Sequence, residues 1–340
     1  MPRKNKRLAL IGPSFFSYTK AIESIFINRG FFCINFDERH SNSLIVKILY
    51  RLQVHLFFIK YRDNHFKKIF DSLIANRVTD LLLINTEVIT VSFIKLLKAN
   101  NIKVHLYLWD SIRNKRVFLN YISHCNTISS FEPDDCKKYN LVYIPLFAED
   151  FFKMPLDLKS SRKNNIVFNA TLHSRRGKDI SIIESCLLGT KFKLVKMLYY
   201  HSKLLLILKC FFKLDNIKVF NNVRFDFYPK SMIASNYFNA KFVLDIHHFG
   251  QGGLTSRTFE ALRSGAYLIT SNPNFLLLPR GLRSRVIYLS DYRDIKNKIN
   301  STRCVFKKLP PKLDYFLSAD RFVDNLIKLI DIKNVRKPAI

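Results

Sequence analysis

Residues 241–272 read KFVLDIHHFGQGGLTSRTFEALRSGAYLITSN and contain the pattern on which the fold prediction rests. The apolar runs 241–246 and 266–270 have the length and continuous hydrophobicity of strands in a buried parallel sheet. Between them, residues 255–264 have a helical pattern, with Thr255 at the N-cap position and a glycine after the last turn. The stretch therefore predicts a strand, a glycine-bearing loop, a helix and a second strand parallel to the first.

The loop ahead of this helix combines glycines with a helix N-terminus. Gly252 and Gly253 let a ligand approach the backbone closely, and the first-turn amides around Ser256 carry a partial positive charge. Arg257 adds a cation in that turn, and Glu260, one turn later, is an acceptor for a ribose diol. The combination suits a diphosphate-containing ligand, and the alternative is an ordinary glycine turn with a helix cap.

The same alternation of apolar runs and helical patterns occupies both halves of the chain. Strand candidates lie at 8–11, 31–36, 80–85, 103–109, 126–129, 141–144, 166–169, 218–220, 241–246, 266–270 and 285–289. Such runs indicate an α/β fold with parallel sheets, whose ligands bind beyond the carboxyl ends of the strands, here in a cleft between the halves. A polar stretch at 148–165 separates them, so we predict domains at 1–150 and 165–316, followed by a C-terminal helix and tail at 317–340.

Composition limits the classes of protein that the chain can represent. It has 340 residues, of which 48% are hydrophobic, which suits two domains with sizeable cores and excludes extended disorder. The 56 Lys and Arg residues exceed the 26 Asp and Glu residues by 30, which favours acidic partners such as nucleic acid, an anionic membrane or phosphorylated substrates. A coding bias toward Lys, Asn, Ile and Phe is a second explanation for this excess.

Cysteines and hydropathy indicate the compartment. The six cysteines form no C-x-x-C pair and have no regular spacing, so a disulfide framework or a zinc site is not expected and a reducing compartment fits best. No run reaches the ~20 uncharged apolar residues of a membrane span. We therefore expect a cytoplasmic protein.

A second candidate for ligand binding is the polar loop that follows the strand at 166–169. It contains His173 and Arg175 among its cations, and arginine clamps phosphate oxygens through two parallel hydrogen bonds. The alternative is a solvated surface loop.

The first half supplies candidates for a second site. Asp110 follows the apolar run that ends in Trp109, so its carboxylate is expected at the mouth of the first sheet as a general base. Ser14, in the turn after the first strand, is placed on the same side. By the resemblance of segments 8–18 and 106–112 to a known enzyme family, this is the acceptor side and the Trp109 indole is a platform for a sugar. An N-cap of the following helix is the alternative role of Asp110, and Glu87 and Glu38 are further candidates for the base.

No metal or cofactor is expected. No D-x-D pattern follows a strand, so the sequence gives no support for a metal site there, and cations and a helix N-terminus would neutralise a bound diphosphate instead.

Several segments, in this order, resemble the CgeB-like and lipopolysaccharide or capsule biosynthesis glycosyltransferases. They are LALIGPSFFSY at 8–18, LYLWDSI at 106–112, ISSFEPDD at 128–135, YIPLFAED at 143–150 and VLDIHHFGQGGLTSRTFEALRSGAYLIT at 243–270. The resemblance implies the GT-B fold, with two Rossmann-like domains facing each other across a cleft, an acceptor at the first and a nucleotide-sugar donor at the second. By this resemblance Glu260 contacts the donor ribose or sugar, Arg257 and the backbone of 252–256 hold the diphosphate, and Arg175 adds a phosphate contact.

The same resemblance implies a substrate and a location. The acceptor would be a lipid-linked oligosaccharide of a growing cell-surface polysaccharide, such as O-antigen or capsule, and the enzyme would be peripheral on the inner face of the cell membrane. The Lys-rich, apolar stretch 191–213 is compatible with contact to that anionic leaflet. A core strand and helix with solvated lysines is the alternative for these residues.

One position departs from related enzymes, and other functions remain as alternatives. Many relatives carry two glutamates eight residues apart; the second corresponds to Glu260, but Gly252 stands at the first position, so a retaining mechanism is not implied. A GT-B-like nucleotide-sugar epimerase and a catalytically silent partner subunit are the nearest alternatives. A nucleic-acid-binding protein is disfavoured because the cations are scattered and no nucleic-acid-binding motif is present.

Overall fold

The computed structural model describes residues 6–13, 18–41, 59–156, 162–172, 176–200, 202–203, 206, 223–248 and 250–331. The chain forms two compact units, one of Met1–Leu146 with Ala319–Ile340 and one of Phe147–Ser318. Among the described residues, no helix is both long enough and apolar enough to span a bilayer.

The first unit is built on a sheet of six parallel strands in the order β2-β1-β3-β4-β5-β6. The strands are β1 (Arg7–Gly12), β2 (Phe32–Asp37), β3 (Asp80–Ile84), β4 (Lys103–Leu108), β5 (Thr127–Ser130) and β6 (Val142–Tyr143). Helices α1 (Tyr18–Asn28), α2 (Ile59–Ala75), α3 (Val91–Ala99) and α4 (Pro133–Tyr139) lie between them. Every residue of β3 is buried, as its continuous apolar sequence predicts for a strand covered on both faces.

The second unit repeats this architecture in the order β12-β11-β10-β7-β8-β9. Its strands are β7 (Lys163–Thr171), β8 (Lys193–Tyr199), β9 (Val223–Arg224), β10 (Ala240–Asp245), β11 (Tyr267–Thr270) and β12 (Val286–Tyr288). Its helices are α5 (Arg176–Leu187), α6 (Lys230–Asn239), α7 (Ser256–Arg263), α8 (Arg280–Arg283), α9 (Ile295–Ser301) and α10 (Pro311–Leu317). The unit predicted from 241–272 is present as β10, α7 and β11.

The stretch 191–213 has a different role from a membrane-contacting segment where the structure describes it. Residues 193–199 form β8, which pairs with β7 on one side and β9 on the other. The core-strand interpretation is therefore correct for these residues, and the membrane-surface interpretation is wrong for them. Most of the remaining stretch, like the strand predicted at 218–220, lies outside the described residues.

The last helix, α11 (Ala319–Asp331), completes the first unit. Its apolar face is buried, and Phe322 packs edge-on against Tyr107 of β4 with ring centroids 4.8 Å apart. Arg29, just after α1, forms ion pairs with Asp324 of this helix and with its neighbour one turn earlier. The helix thus covers α1 and part of the sheet of the first unit.

Candidate functional site

A buried carboxylate stands at the carboxyl end of β10. Asp245 accepts hydrogen bonds from the hydroxyls of Thr255, at 2.8 Å, and Thr258, at 3.0 Å, and its Oδ1 lies 2.5 Å from Nη1 of Arg257. Burial alone would raise the pKa of Asp245, but the guanidinium and the two hydroxyls hold it below its usual range. The carboxylate therefore stays ionised and ties the glycine loop to α7.

Thr255 occupies the N-cap position of α7, as predicted, but its hydroxyl makes no bond to the helix. Its backbone is extended, with φ −75° and ψ 162°, and the hydroxyl turns to Asp245 instead of to a first-turn amide. The predicted capping bond is therefore wrong. An N-terminus without a side-chain cap keeps its positive end directed outward, which suits an anion.

Arg257 is held inside the second unit. Its Nε donates to the carbonyl of Asn169 in β7 at 2.7 Å, its Nη1 contacts Asp245, and only 14% of the side chain is exposed. Burial lowers the pKa of this guanidinium, but the charge of Asp245 outweighs that effect and leaves it raised. Arg257 therefore links β7, β10 and α7, and the sequence did not predict these internal contacts.

A neighbouring arginine, Arg176, was not singled out by the sequence. It is the first residue of α5, and its Nη1 donates to the carbonyl of Thr171 at 3.0 Å. Burial and the charge of Arg257 lower its pKa to about 10, while Asp245 opposes that shift. Arg176 belongs to the run of cations that follows the strand at 166–169. The residues predicted from that run are His173 and Arg175, which lie outside the described residues.

Two asparagines fix the glycine loop from one side. Asn272 Nδ2 donates to the carbonyls of Gly252, at 3.0 Å, and Gly253, at 3.3 Å, and Asn274 Nδ2 also reaches Gly252 at 3.0 Å. Since C=O and N–H point in opposite directions across a trans peptide, the amides of Gly253 and Leu254 point away from these asparagines. Asn272 and Asn274 follow β11, and only the fold shows that they face the loop.

The remaining candidates of this edge lie close to the same cluster. Glu260 is buried on α7, and its charge contributes to the raised pKa of Arg257. Ser256 is the first residue of that helix. The backbone N–H of His247 donates to Ser271 Oγ at 3.0 Å, and burial lowers the pKa of the His247 imidazole.

In the first unit, Asp110 follows β4 at the edge where its strands end. Its Oδ2 accepts from Asn85 Nδ2 at 3.0 Å and lies 2.5 Å from the Lys115 ammonium. The residues after it form a turn, and the next helical segment is the short 3₁₀ helix Arg116–Asn120. The alternative role of Asp110 as an α-helix cap is therefore wrong.

Lys115 joins two carboxylates. Its ammonium also lies 2.5 Å from Glu87 Oε1, and burial lowers its pKa less than Asp110 and Glu87 together raise it. Lys115 thus remains a cation between them. Neither this lysine nor Asn85, which holds Asp110, was identified from the sequence.

Glu38 has a different environment from Asp110. It is buried, and its Oε2 accepts from the backbone amide of Glu87 at 2.6 Å and from that of Val88 at 3.4 Å. Burial raises its pKa to about 7 against the opposing charge of Arg39. Glu38 therefore fixes the backbone that carries Glu87, while the Glu87 side chain itself is partly exposed.

Trp109 lies beside this carboxylate cluster. Its backbone N–H donates to Asn85 Oδ1 at 3.2 Å, and its ring meets Tyr18 edge-on at 6.1 Å. Asn85 adopts φ +49°, the left-handed conformation that asparagine tolerates better than most residues, and so turns the chain at the end of β3. Ser14 lies outside the described residues.

No protein-family model matches the sequence, and no curated protein is significantly similar to it. Solved structures nevertheless share its fold. HepE of Anabaena in complex with UDP superposes with a TM-score of 0.64 over 95% of this chain and 99% of that chain, at 10% sequence identity. A glycosyltransferase from Rickettsia africae gives 0.61 over 97% of this chain and 100% of that chain, at 13% identity.

An epimerase shares the fold as well. UDP-GlcNAc 2-epimerase from Methanocaldococcus jannaschii gives a TM-score of 0.53 over 95% of this chain and 99% of that chain, at 10% identity. These similarities, together with the two parallel six-stranded sheets, establish the architecture. The chain has the GT-B fold that nucleotide-sugar glycosyltransferases and epimerases share.

Proposed function

We propose that the protein is a metal-independent glycosyltransferase that transfers a sugar from a nucleotide-sugar donor to a lipid-linked oligosaccharide of a growing cell-surface polysaccharide, such as O-antigen or capsule. It works in the cytoplasm at the inner face of the cell membrane. The observation that carries the proposal is the positively charged edge of the second unit, where Arg176 at the start of α5 and Arg257 in the first turn of α7 lie within electrostatic range of each other, and where the N-terminus of α7 has no side-chain cap. HepE, which has the same fold, was solved with UDP and with UDP-glucose.

On the donor side, each group has a separate task. Arg176, the amides at the start of α7 and Arg175 bind the diphosphate, and Arg257 holds the loop geometry through Asp245. Glu260 accepts from the ribose or sugar hydroxyls. As the bond to the anomeric carbon breaks, the leaving diphosphate keeps the electron pair, and these fixed positive groups stabilise its charge.

On the acceptor side, the hydroxyl that attacks the anomeric carbon gives its proton to Asp110. Asn85 and Lys115 fix the orientation of that carboxylate, and Trp109 offers a flat apolar face to the acceptor sugar. A positioned carboxylate of this kind is the usual general base for a hydroxyl nucleophile in an inverting transfer.

A nucleotide-sugar epimerase is the second candidate, because the Methanocaldococcus jannaschii epimerase has the same fold. The two activities differ in their need for an acceptor. An epimerase changes the nucleotide sugar without an acceptor, whereas a transferase releases a nucleoside diphosphate in proportion to acceptor.

The donor site is tested by titrating the wild type with UDP, UDP-glucose, UDP-GlcNAc and ADP-glucose and measuring thermal shift and affinity. Replacing Arg176 by Gln should weaken the best ligand by roughly 10- to 150-fold, the loss of a charged hydrogen bond of ~1.5–3 kcal/mol. Arg293→Gln is the matched control, because this arginine of the same unit is exposed and pairs with Asp291. Unchanged affinity in a folded Arg176→Gln variant, or no nucleotide binding by the wild type, would refute the proposal.

A further inference from the structure

An exposed apolar tip lies at one edge of the second unit. β12 is the edge strand of its sheet, and the turn Pro273–Leu277 lies beside it, because Phe275 stacks on Tyr288 with ring centroids 5.5 Å apart. In this turn, Leu276 and Leu277 are 57% and 46% exposed. Two adjacent leucines in water are unfavourable unless they meet an apolar partner.

Neighbouring segments contact the residues that follow this tip along the chain. Arg283 Nε donates to the carbonyl of Leu278, and Arg285 Nη2 donates to that of Lys307, both at 2.6 Å. Gly281 of α8 lies so close to Leu313 of α10 that a Cβ there would come within 2.8 Å of its Cδ1. We call residues 273–288 and 303–313 together the β12 edge surface.

The β12 edge surface is positively charged. Its sequence has no Asp or Glu, and its cations are Arg280, Arg283, Arg285, Arg303, Lys307, Lys308 and Lys312. Five of them are exposed, namely Arg280, Arg303, Lys307, Lys308 and Lys312. Among the residues that the structure describes, no carboxylate forms an ion pair with any of these five.

We propose that the β12 edge surface docks the protein on an anionic lipid bilayer, with Leu276 and Leu277 entering the interface and the cations contacting headgroup phosphates. Leucines gain from leaving water, and each cation near an anionic bilayer surface adds attraction that salt screens. Exposed Tyr288 has the amphipathic ring that is enriched at such interfaces. A nucleic acid would satisfy the cations but would offer no apolar phase to the paired leucines, so the combination favours lipid.

The position of this surface deepens the proposed function, on which its biological setting rests. Asn274 lies two residues before Leu276 and holds the carbonyl of Gly252 in the glycine loop. Docking through the leucines therefore brings the donor loop next to the bilayer, where a lipid-linked acceptor is located. The described part of 191–213 provides no such surface, since residues 193–199 form an internal strand.

The experiment is vesicle flotation with the full chain, using phosphatidylcholine alone and phosphatidylcholine mixed with phosphatidylglycerol, at low and at high salt. The wild type should bind the mixed vesicles at low salt, dissociate from them at high salt and not bind the neutral vesicles. The double variant Leu276→Ser/Leu277→Ser should bind about tenfold more weakly, because it removes most of the apolar side-chain area that the bilayer would bury. Leu188→Ser is the matched control, a 76% exposed leucine of the same unit outside the surface, and should bind as the wild type does.

A second variant keeps the test independent of the leucines. Lys307→Gln/Lys308→Gln should reduce binding about 25-fold, from roughly fivefold for each cation near an anionic surface. Circular dichroism of each variant establishes that it is folded.

Equal binding to neutral and mixed vesicles, no binding to either, or unchanged binding by the leucine variant would overturn the proposal. The proposal would also be overturned if polyuridylate bound as tightly as the mixed vesicles and bound the leucine variant as tightly as the wild type. The surface would then bind polyanions in general. A protein that docks on vesicles but binds no nucleotide would refute the proposed function and leave the docking intact. A protein that binds nucleotide but not vesicles would refute the docking and leave the donor site of the proposed function intact.

Discussion

In the first unit, the two carboxylates that flank Lys115 keep part of their surface in solvent, whereas in the second unit the carboxylate at the end of β10 is covered. The side chains of Asp110 and Glu87 are 31% and 29% exposed, but that of Asp245 is only 3% exposed. Thr255 and Arg257 both bond to Asp245, so this carboxylate is neutralised by partners from the loop and the helix that follow it. Two sheets of the same parallel type thus end in a partly hydrated carboxylate pair in one unit and in a buried ion pair in the other.

If the proposed transfer is correct, this difference assigns one substrate to each unit. An anionic donor requires fixed positive groups, and an acceptor hydroxyl requires a carboxylate that it can reach. The partial exposure of Asp110 is therefore as informative as the burial of Asp245.

The largest expected effect comes from the exposed carboxylate. Asp110→Asn should lower the transfer rate by about 10²–10⁴, the usual cost of losing a general base, while leaving nucleotide-sugar affinity unchanged. Initial rates and isothermal titration measure the two quantities. Asp71→Asn, an exposed carboxylate on α2, is the control. Transfer within about threefold of the wild type would assign the base to another residue, and Glu87 would be tested next.

Breaking the buried ion pair between Arg257 and Asp245 should lower the free energy of unfolding. Arg257→Met leaves Asp245 buried without its counter-ion, which typically costs about 3–5 kcal/mol. Urea unfolding measures the loss. The double variant Arg257→Met/Asp245→Asn should recover part of it, and the absence of any recovery would show that Asp245 is not the reason for the loss.

Glu38 gives the first unit a pH dependence that Asp245 does not share. Its pKa of about 7 in the folded protein lies above its ordinary value of 4.5, so the folded state binds the proton more tightly. Its contribution to stability is complete below pH 4.5 and is lost as the pH rises through 7, by about 3 kcal/mol in total. Glu38→Gln should remove this loss. The unfolding free energy of the variant should therefore fall less than that of the wild type between about pH 5 and about pH 7.5. Parallel pH profiles for the two proteins would contradict this assignment.

The proposed donor site can be tested through Glu260. Glu260→Ala should weaken nucleotide-sugar binding by roughly 10- to 150-fold, since a lost charged hydrogen bond costs ~1.5–3 kcal/mol. Titration calorimetry with the best donor measures it. Glu184→Ala, a partly exposed glutamate on α5 that pairs with Lys196, is the control. Equal affinities would place the ribose elsewhere.

The smallest expected effect concerns Lys115 in the first unit. Lys115→Met removes a cation from two carboxylates that water can still reach, so the free energy of unfolding should fall by only about 1 kcal/mol. The urea experiment on Arg257→Met provides the direct comparison. A loss as large as that of Arg257→Met would mean that the first edge is as closed as the second, and the contrast between the units would fail.

Much of the fold could be predicted because its signals are local. The continuous apolar run of β3 predicts a strand covered on both faces, and Gly30 and Gly265 adopt positive φ after helices as their positions predict. β8 escaped prediction as a defined strand because lysines interrupt it. One of these, Lys196, is partly buried and pairs with Glu184 of α5 at 2.6 Å.

The places of the candidate residues in the fold were predictable, but their contacts were not. Asp110 follows β4 and Arg257 lies in the first turn of α7, as their sequence patterns predict, since strand ends and helix starts can be identified from local sequence. The contacts with Lys115 and Asp245 depend on how the loops fold, and no spacing rule encodes them. Arg176 illustrates the same limit, because only the start of α5 distinguishes it from the adjacent cations.

The return of α11 to the first unit has a consequence for biosynthesis. The second unit is continuous in sequence, from Phe147 to Ser318, whereas the first needs residues from both sides of it. Phe322 and its buried neighbours on α11 leave the ribosome only after the whole second unit has been made. Although domains generally fold from the N-terminus onward during translation, here the second unit can complete its core first. The nascent first unit meanwhile exposes the apolar surface around Tyr107 and α1, the surface that a chaperone would have to shield.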